Sequence, residues 1–215
     1  MKKFTTAVLA ILLLATTASH AKAQELNASL KDAFQNLSTA TDMGGRMNAV
    51  NKFNVIAAKW GNQWAANYYA AYANAVVSLN ESDPKRRDQL IDVADKYVEK
   101  ANSLNAANDE TLFLNAYVAF ARYSVDPPNR WQKYLNLTNA KLDEAKKANP
   151  NNPRIYYLQG ILFFLRPKTY GGGKEVAKPY FEKADALFPK QESADYTKPF
   201  WGGKDNAAYL RKCSE

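Results

Sequence analysis

The stretch Ala177-Lys-Pro-Tyr-Phe181-Glu-Lys-Ala184-Asp-Ala-Leu-Phe-Pro189 decides the fold of this chain. Ala177, Phe181 and Ala184 recur at spacings of four and three, the period of one helix face, and Pro189 closes the run. The same spacing joins Thr138, Leu142, Ala145 and Pro150, and before them Ala94, Val98, Ala101 and Ala106. A degraded copy, Ala49, Phe53, Ile56 and Gly61, stands ahead of these. The third anchors, Ile56, Ala101, Ala145 and Ala184, lie 45, 44 and 39 residues apart. A period of that length signals stacked helical units, none of which buries its apolar face alone.

The pattern resembles the tetratricopeptide repeat, a helix hairpin of about 34 residues, with residues inserted. Tyr156, Tyr157, Leu158 and Gly160 resemble its first helix, with Gly160 the small residue where two helices cross, and Ala116 takes that place one repeat earlier. The fold expected is all-α: a right-handed stack of antiparallel helix hairpins, about three of them with capping helices. The repeat core covers residues 46–189. Glycine and proline punctuation divides the chain into helical segments at Leu26–Leu37, Arg46–Lys59, Gln63–Leu79, Arg86–Leu104, Glu110–Tyr123, Trp131–Ala148, Arg154–Leu165, Lys174–Leu187 and Lys204–Lys212. Nothing alternates as a strand does.

Crossing residue to second-helix anchor spans 17 residues from Gly160 to Ala177 and 22 from Ala116 to Thr138. A plain repeat has about 12. The insertions therefore fall between the helices of each hairpin and gather on one edge. They are rich in proline and cations: Lys85, Arg86, Arg87, Arg130, Arg166, Lys168 and Lys174. Such an edge suits an acidic partner or a glycan, unless these cations are simply solvated at loop tips. The resemblance implies a second surface, a concave groove lined by first helices. Phe113, Tyr117 and Phe120 would come from one helix and Arg154, Tyr157, Ile161 and Phe164 from the next, with Tyr68 and Tyr72 added. Such a groove suits an extended or helical peptide, unless the terminal helices fill it.

The chain has 215 residues, 47% hydrophobic and 23% charged, enough for one core-bearing domain. Its start has the parts of a secretory signal: Lys2 and Lys3, the apolar run Ala7 to Ala15, and Ala21-Lys22-Ala23 before a cut. The expected organisation is a signal at 1–23 and a single helical domain at 24–215. Cleavage removes three lysines, lowers the net charge from +8 to +5 and removes the only histidine, His20. No cysteine stands near the cut to carry a lipid anchor, so the mature protein is expected in the periplasm or outside the cell. Without histidine and with one cysteine, Cys213, that protein has no Ser-His or Cys-His nucleophile, no histidine or cysteine metal cage and no internal disulfide.

Other chemistry is poorly supported. Tyr170-Gly-Gly-Gly-Lys174-Glu175 lacks the strand and the Ser or Thr of a phosphate loop and reads as a glycine turn. Asp83 and Asp126 sit in insertions with no definable pairing for carboxylate catalysis. Trp60 and Trp64, like Phe200-Trp201-Gly-Gly203, could stack on sugar rings but read as seals at the ends of the stack. Cys213 reads as incidental in a frayed tail, and the N-x-[ST] triplets at Asn27, Asn36, Asn80 and Asn136 carry little. The expectation is an exported, non-catalytic binding or adaptor module without cofactor or metal. Its partner would be a protein or peptide of the cell envelope, not nucleic acid, and the chain would not span the membrane. The partner-binding candidates are Tyr68, Tyr72, Phe113, Tyr117, Phe120, Arg154, Tyr157, Phe164, Arg86, Arg130 and Lys168. The alternative is a periplasmic binder of small solutes or glycans.

Overall fold

A computed structural model describes the backbone of residues 2–105, 107–191 and 195–215, and the side chains of 21–105, 107–189 and 195–215. His20, Ala106 and most of the expected signal lie outside the described side chains. Among the described residues every regular element is helical. The α-helices are α1 (Lys2–Thr39), α2 (Met43–Lys59), α3 (Trp64–Ser78), α4 (Pro84–Asn105), α5 (Asp109–Tyr123), α6 (Pro127–Arg130), α7 (Asn136–Ala148), α8 (Pro153–Leu165), α9 (Lys174–Leu187) and α10 (Gly203–Ser214). No described helix is long and apolar enough to cross a membrane.

Consecutive helices pack as pairs: α1 with α2, α3 with α4, α5 with α7, and α8 with α9. Between pairs, α3 lies against α5 and α5 against α8, so these three line one side. The residues that carry the repeat pattern face inward. Ala94 and Ala101 on α4, Thr138, Leu142 and Ala145 on α7, and Ala177, Phe181 and Ala184 on α9 are all buried. Gly160 lies where α8 meets α9, and a Cβ there would stand 2.6 Å from the Phe181 ring. That contact is the physical reason for glycine: the ring occupies the place of a side chain.

Local chemistry sets the helix ends. Asn108 accepts the Glu110 amide at the start of α5, with Asp109 and Glu110 in its positive first turn. Asn152 accepts the Arg154 amide and Pro153 stands at the first position of α8. Two segments differ from the sequence expectation. Trp131–Leu135 is a π-helical turn between α6 and α7 rather than the start of one α-helix. Cys213 is partly buried within α10 and packs against the core, not in a frayed tail.

The inserted loops, 79–83, 124–126 and 166–173, join the two helices of a pair as expected. The glycine turn offers no cradle for an anion. Gly171, Gly172 and Gly173 donate their amides to Lys168 O, Pro167 O and Phe163 O at 3.0, 3.1 and 2.9 Å.

Candidate functional site

The aromatic side chains of α3, α5 and α8 form a groove whose two halves have different fates. Over one half runs an irregular strap, residues 195–202. Lys198 O accepts the Tyr69 hydroxyl at 2.9 Å, Phe200 packs on Phe34 at 4.5 Å, and the Tyr196 amide donates to Asn27 Oδ1. The strap ends in Trp201, which is 4% exposed, stacks on Tyr72 at 4.1 Å and touches Tyr117 and Phe113 at 5.4 and 5.8 Å. Trp201 was expected to seal an end of the stack; it is instead inserted into the groove. Gly202 then turns the chain into α10 with φ 107°, and a Cβ there would meet Phe188 at 2.9 Å.

The other half stays open. Trp201 and α10 bound a cleft of about 480 Å³, within the usual range for small-molecule sites. Its walls are aromatic and aliphatic: Tyr72, Val76 and Leu79 from α3 and its end, Tyr117 and Phe120 from α5, Tyr157 and Ile161 from α8, Ala208 and Tyr209 from α10. Leu165, 60% exposed, stands at its edge.

Two cations face the cleft. Arg87 is held by a bond from Nε to Ser78 O at 3.1 Å, and Lys212 lies over the Tyr209 ring at 4.9 Å. Among the described residues neither has a carboxylate at ion-pair distance, and burial lowers the Arg87 pKa. Asp205 stands on the same wall with its carboxyl raised by desolvation. Burial raises the Tyr72, Tyr117 and Tyr157 hydroxyls as well, so all three are neutral phenols at physiological pH. The cleft thus combines aromatic faces, neutral hydroxyls, two cations and the Asp205 carboxylate, so both ring stacking and charge pairing are available in it.

Among solved structures, the chain is similar to the HusA haemophore from Porphyromonas gingivalis. The two share 31% identity over 89% of this chain and 92% of that one, with a TM-score of 0.73. This chain belongs to that haemophore's family. No family model and no curated protein matches the sequence.

Within this member of the haemophore family, the sequence candidates separate into three groups. Tyr72, Tyr117, Phe120 and Tyr157 line the cleft. Tyr68, Phe113, Arg154 and Phe164 do not: Tyr68 and Phe113 are fully buried, Phe164 packs on Tyr209 at 5.2 Å, and Arg154 is 1% exposed in an ion pair with Glu110. On the loop edge, Arg130 grips both oxygens of Asp88 at 2.7 Å, Lys168 lies 3.2 Å from Glu175, and Arg86 is exposed near Glu81 and Asp83. Asp83 caps the Lys85 amide and Asp126 accepts from Asn129, which accounts for both carboxylates as turn residues.

Sequence reasoning missed Trp201, Asp205, Tyr209 and Lys212 as cleft residues. Their only signal was Trp201-Gly-Gly203 ahead of an amphipathic helix, and nothing local indicates that this helix returns across the groove.

Proposed function

We propose that this protein is an exported carrier of haem, holding the tetrapyrrole in the cleft between α10 and the aromatic faces of α3, α5 and α8. The observation that carries this reading is a tyrosine-lined cleft faced by Arg87 and Lys212, which among the described residues have no carboxylate at ion-pair distance. One face of a porphyrin would lie against the aromatic rings, and its propionates would reach the two cations. The HusA haemophore's name, at 31% identity over nearly the whole of both chains, supports haem as the ligand. Haem here is cargo rather than a catalytic cofactor, and the protein acts by capture and release without bond chemistry. The basic and apolar start of the sequence supports export, and the buried anchors with Gly160 at its crossing support a tetratricopeptide-like origin of the hairpins.

The test is a haem titration followed by the Soret band. Saturation at one haem per chain is expected, and R87E/K212E should weaken binding most at low ionic strength, where screening is least. Absence of a saturable complex, or an affinity unmoved by the double charge reversal, would contradict the assignment.

A second reading, a protein-binding module with a partner on the loop edge, is favoured by Trp131 and Tyr170, which are 50% and 77% exposed there. In that case W131A/Y170A would abolish retention of an envelope protein while haem binding persisted. Retention unchanged in the variant would remove that reading.

A further inference from the structure

Arg154 does not line the cleft, yet it grips the strap that forms one cleft wall. Its Nε lies 3.1 and 3.0 Å from the two Glu110 oxygens, and Nη2 lies 2.8 Å from Oε1. The same guanidinium donates from Nη1 to Trp201 O at 3.1 Å and from Nη2 to Pro199 O at 2.8 Å. Tyr68 completes the circuit. Its hydroxyl donates to Glu110 Oε2 at 3.0 Å and accepts the Trp201 indole N–H at 3.1 Å. Asn152 adds a fourth donor atom to Glu110, reaching Oε1 at 2.8 Å.

Two of these bonds reach Trp201 itself, one at its carbonyl and one at its indole nitrogen, which leaves the ring to stack on Tyr72 and wall the cleft. The strap has no helix or strand to satisfy its backbone, so the two carbonyls depend on these donors. A buried ion pair is a poor source of net stability, because desolvation offsets most of the attraction. An apolar pair of equal volume would fill the space but could not present two donors to the strap. A planar guanidinium has five donors in a fixed fork and serves the carboxylate and both carbonyls together, which a lysine ammonium cannot do.

We infer that Arg154, Glu110 and Tyr68 form a latch that positions Trp201 as the ligand-facing wall, so that they govern ligand affinity without touching the ligand. The inference rests on the cleft being the haem site. It concerns positioning residues, two of which, Tyr68 and Arg154, the sequence alone groups with direct ligand contacts.

The experiment is a double-mutant cycle between R154K and W201A, read by haem titration. Trp201 emission, taken as native minus W201F, is measured without ligand. R154K is expected to shift Trp201 emission to longer wavelength and to raise the haem Kd about tenfold. W201A should raise Kd about thirtyfold. In the W201A background R154K should add nothing, because the latch acts only through that ring. Native emission with native Kd in R154K, or an equal loss in both backgrounds, would overturn the inference. If R154K does not fold, Y68F carries the same comparison by deleting one hydroxyl, with an expected loss of about threefold. A native chain that binds no haem would end the haem reading alone, since the emission shift reports the latch without ligand.

Discussion

The two halves of the aromatic groove have similar walls and opposite treatment of their cations. In the covered half Arg154 is buried, paired with Glu110 and bonded to two strap carbonyls. In the open half, among the described residues, Arg87 and Lys212 have no carboxylate at ion-pair distance, although Asp205 lines the same cleft and Tyr72 and Trp201 border both halves. A paired buried charge organises its own chain. An unpaired charge beside an apolar cleft is left for something that arrives from solution. Under the proposed function, the halves differ in which charges the chain neutralises itself, and not in how many aromatic rings they supply.

The comparison breaks first at Arg154. R154Q leaves Glu110 buried, where desolvation already raises its pKa against the pull of Arg154. Losing one partner of such a pair should cost about 3–5 kcal/mol in denaturant unfolding, with little dependence on salt. The double replacement R154M/E110L should recover most of that stability but leave the strap carbonyls without donors. A loss below about 1 kcal/mol for R154Q would place Arg154 among ordinary surface charges.

The open half should respond in the opposite sense. A208W on α10 puts an indole into the cleft and should abolish haem binding while stability stays within about 0.5 kcal/mol of native. Measured by Soret titration and thermal unfolding, loss of stability without loss of binding would reverse the assignment of the halves. R87Q is expected to weaken haem binding about tenfold and to change stability by less than about 1 kcal/mol, because it removes a partly desolvated charge but also the bond to Ser78 O.

The smallest effect belongs to the outer network, where Arg122 and Arg130 share Asp88, and Arg122 also reaches Asp92 and Asp95. The Arg130 hydrogen bond, aided by Arg122, holds the Asp88 pKa below its ordinary value. Its contribution is therefore complete above the unfolded pKa of about 3.9 and is lost as pH falls through the lower folded value. D88N should flatten stability below about pH 4 and change it by less than about 1 kcal/mol at neutral pH. A pH profile identical to native would show that this network contributes nothing.

Much of the fold was legible because it repeats. Ala177, Phe181 and Ala184 share a spacing with three earlier sets, and spacing is visible without knowledge of contacts. Gly160 was legible for the same reason, since a small residue at a fixed offset marks a helix crossing. Part of the cleft lining followed from this: Tyr72, Tyr117, Phe120 and Tyr157 are first-helix residues and line the cleft. The rest depends on tertiary return of the chain. Nothing in Phe200-Trp201-Gly-Gly203 specifies that the segment crosses the groove, because its partners Tyr68, Glu110 and Arg154 lie 133, 91 and 47 residues earlier. Arg154 misled for a related reason. A cation on the groove face of α8 looks available until Glu110, at the start of α5, is brought beside it.

The most direct test follows the Trp201 indole N–H in an NMR titration, with the signal assigned by its loss in W201F. Zinc protoporphyrin, a diamagnetic stand-in for haem, is added to the native chain. The account expects ring-current displacement of the Trp201 signal, saturating at one equivalent, while the Trp60 signal stays in place. A saturable complex that leaves Trp201 unmoved, or no complex at all, would contradict it.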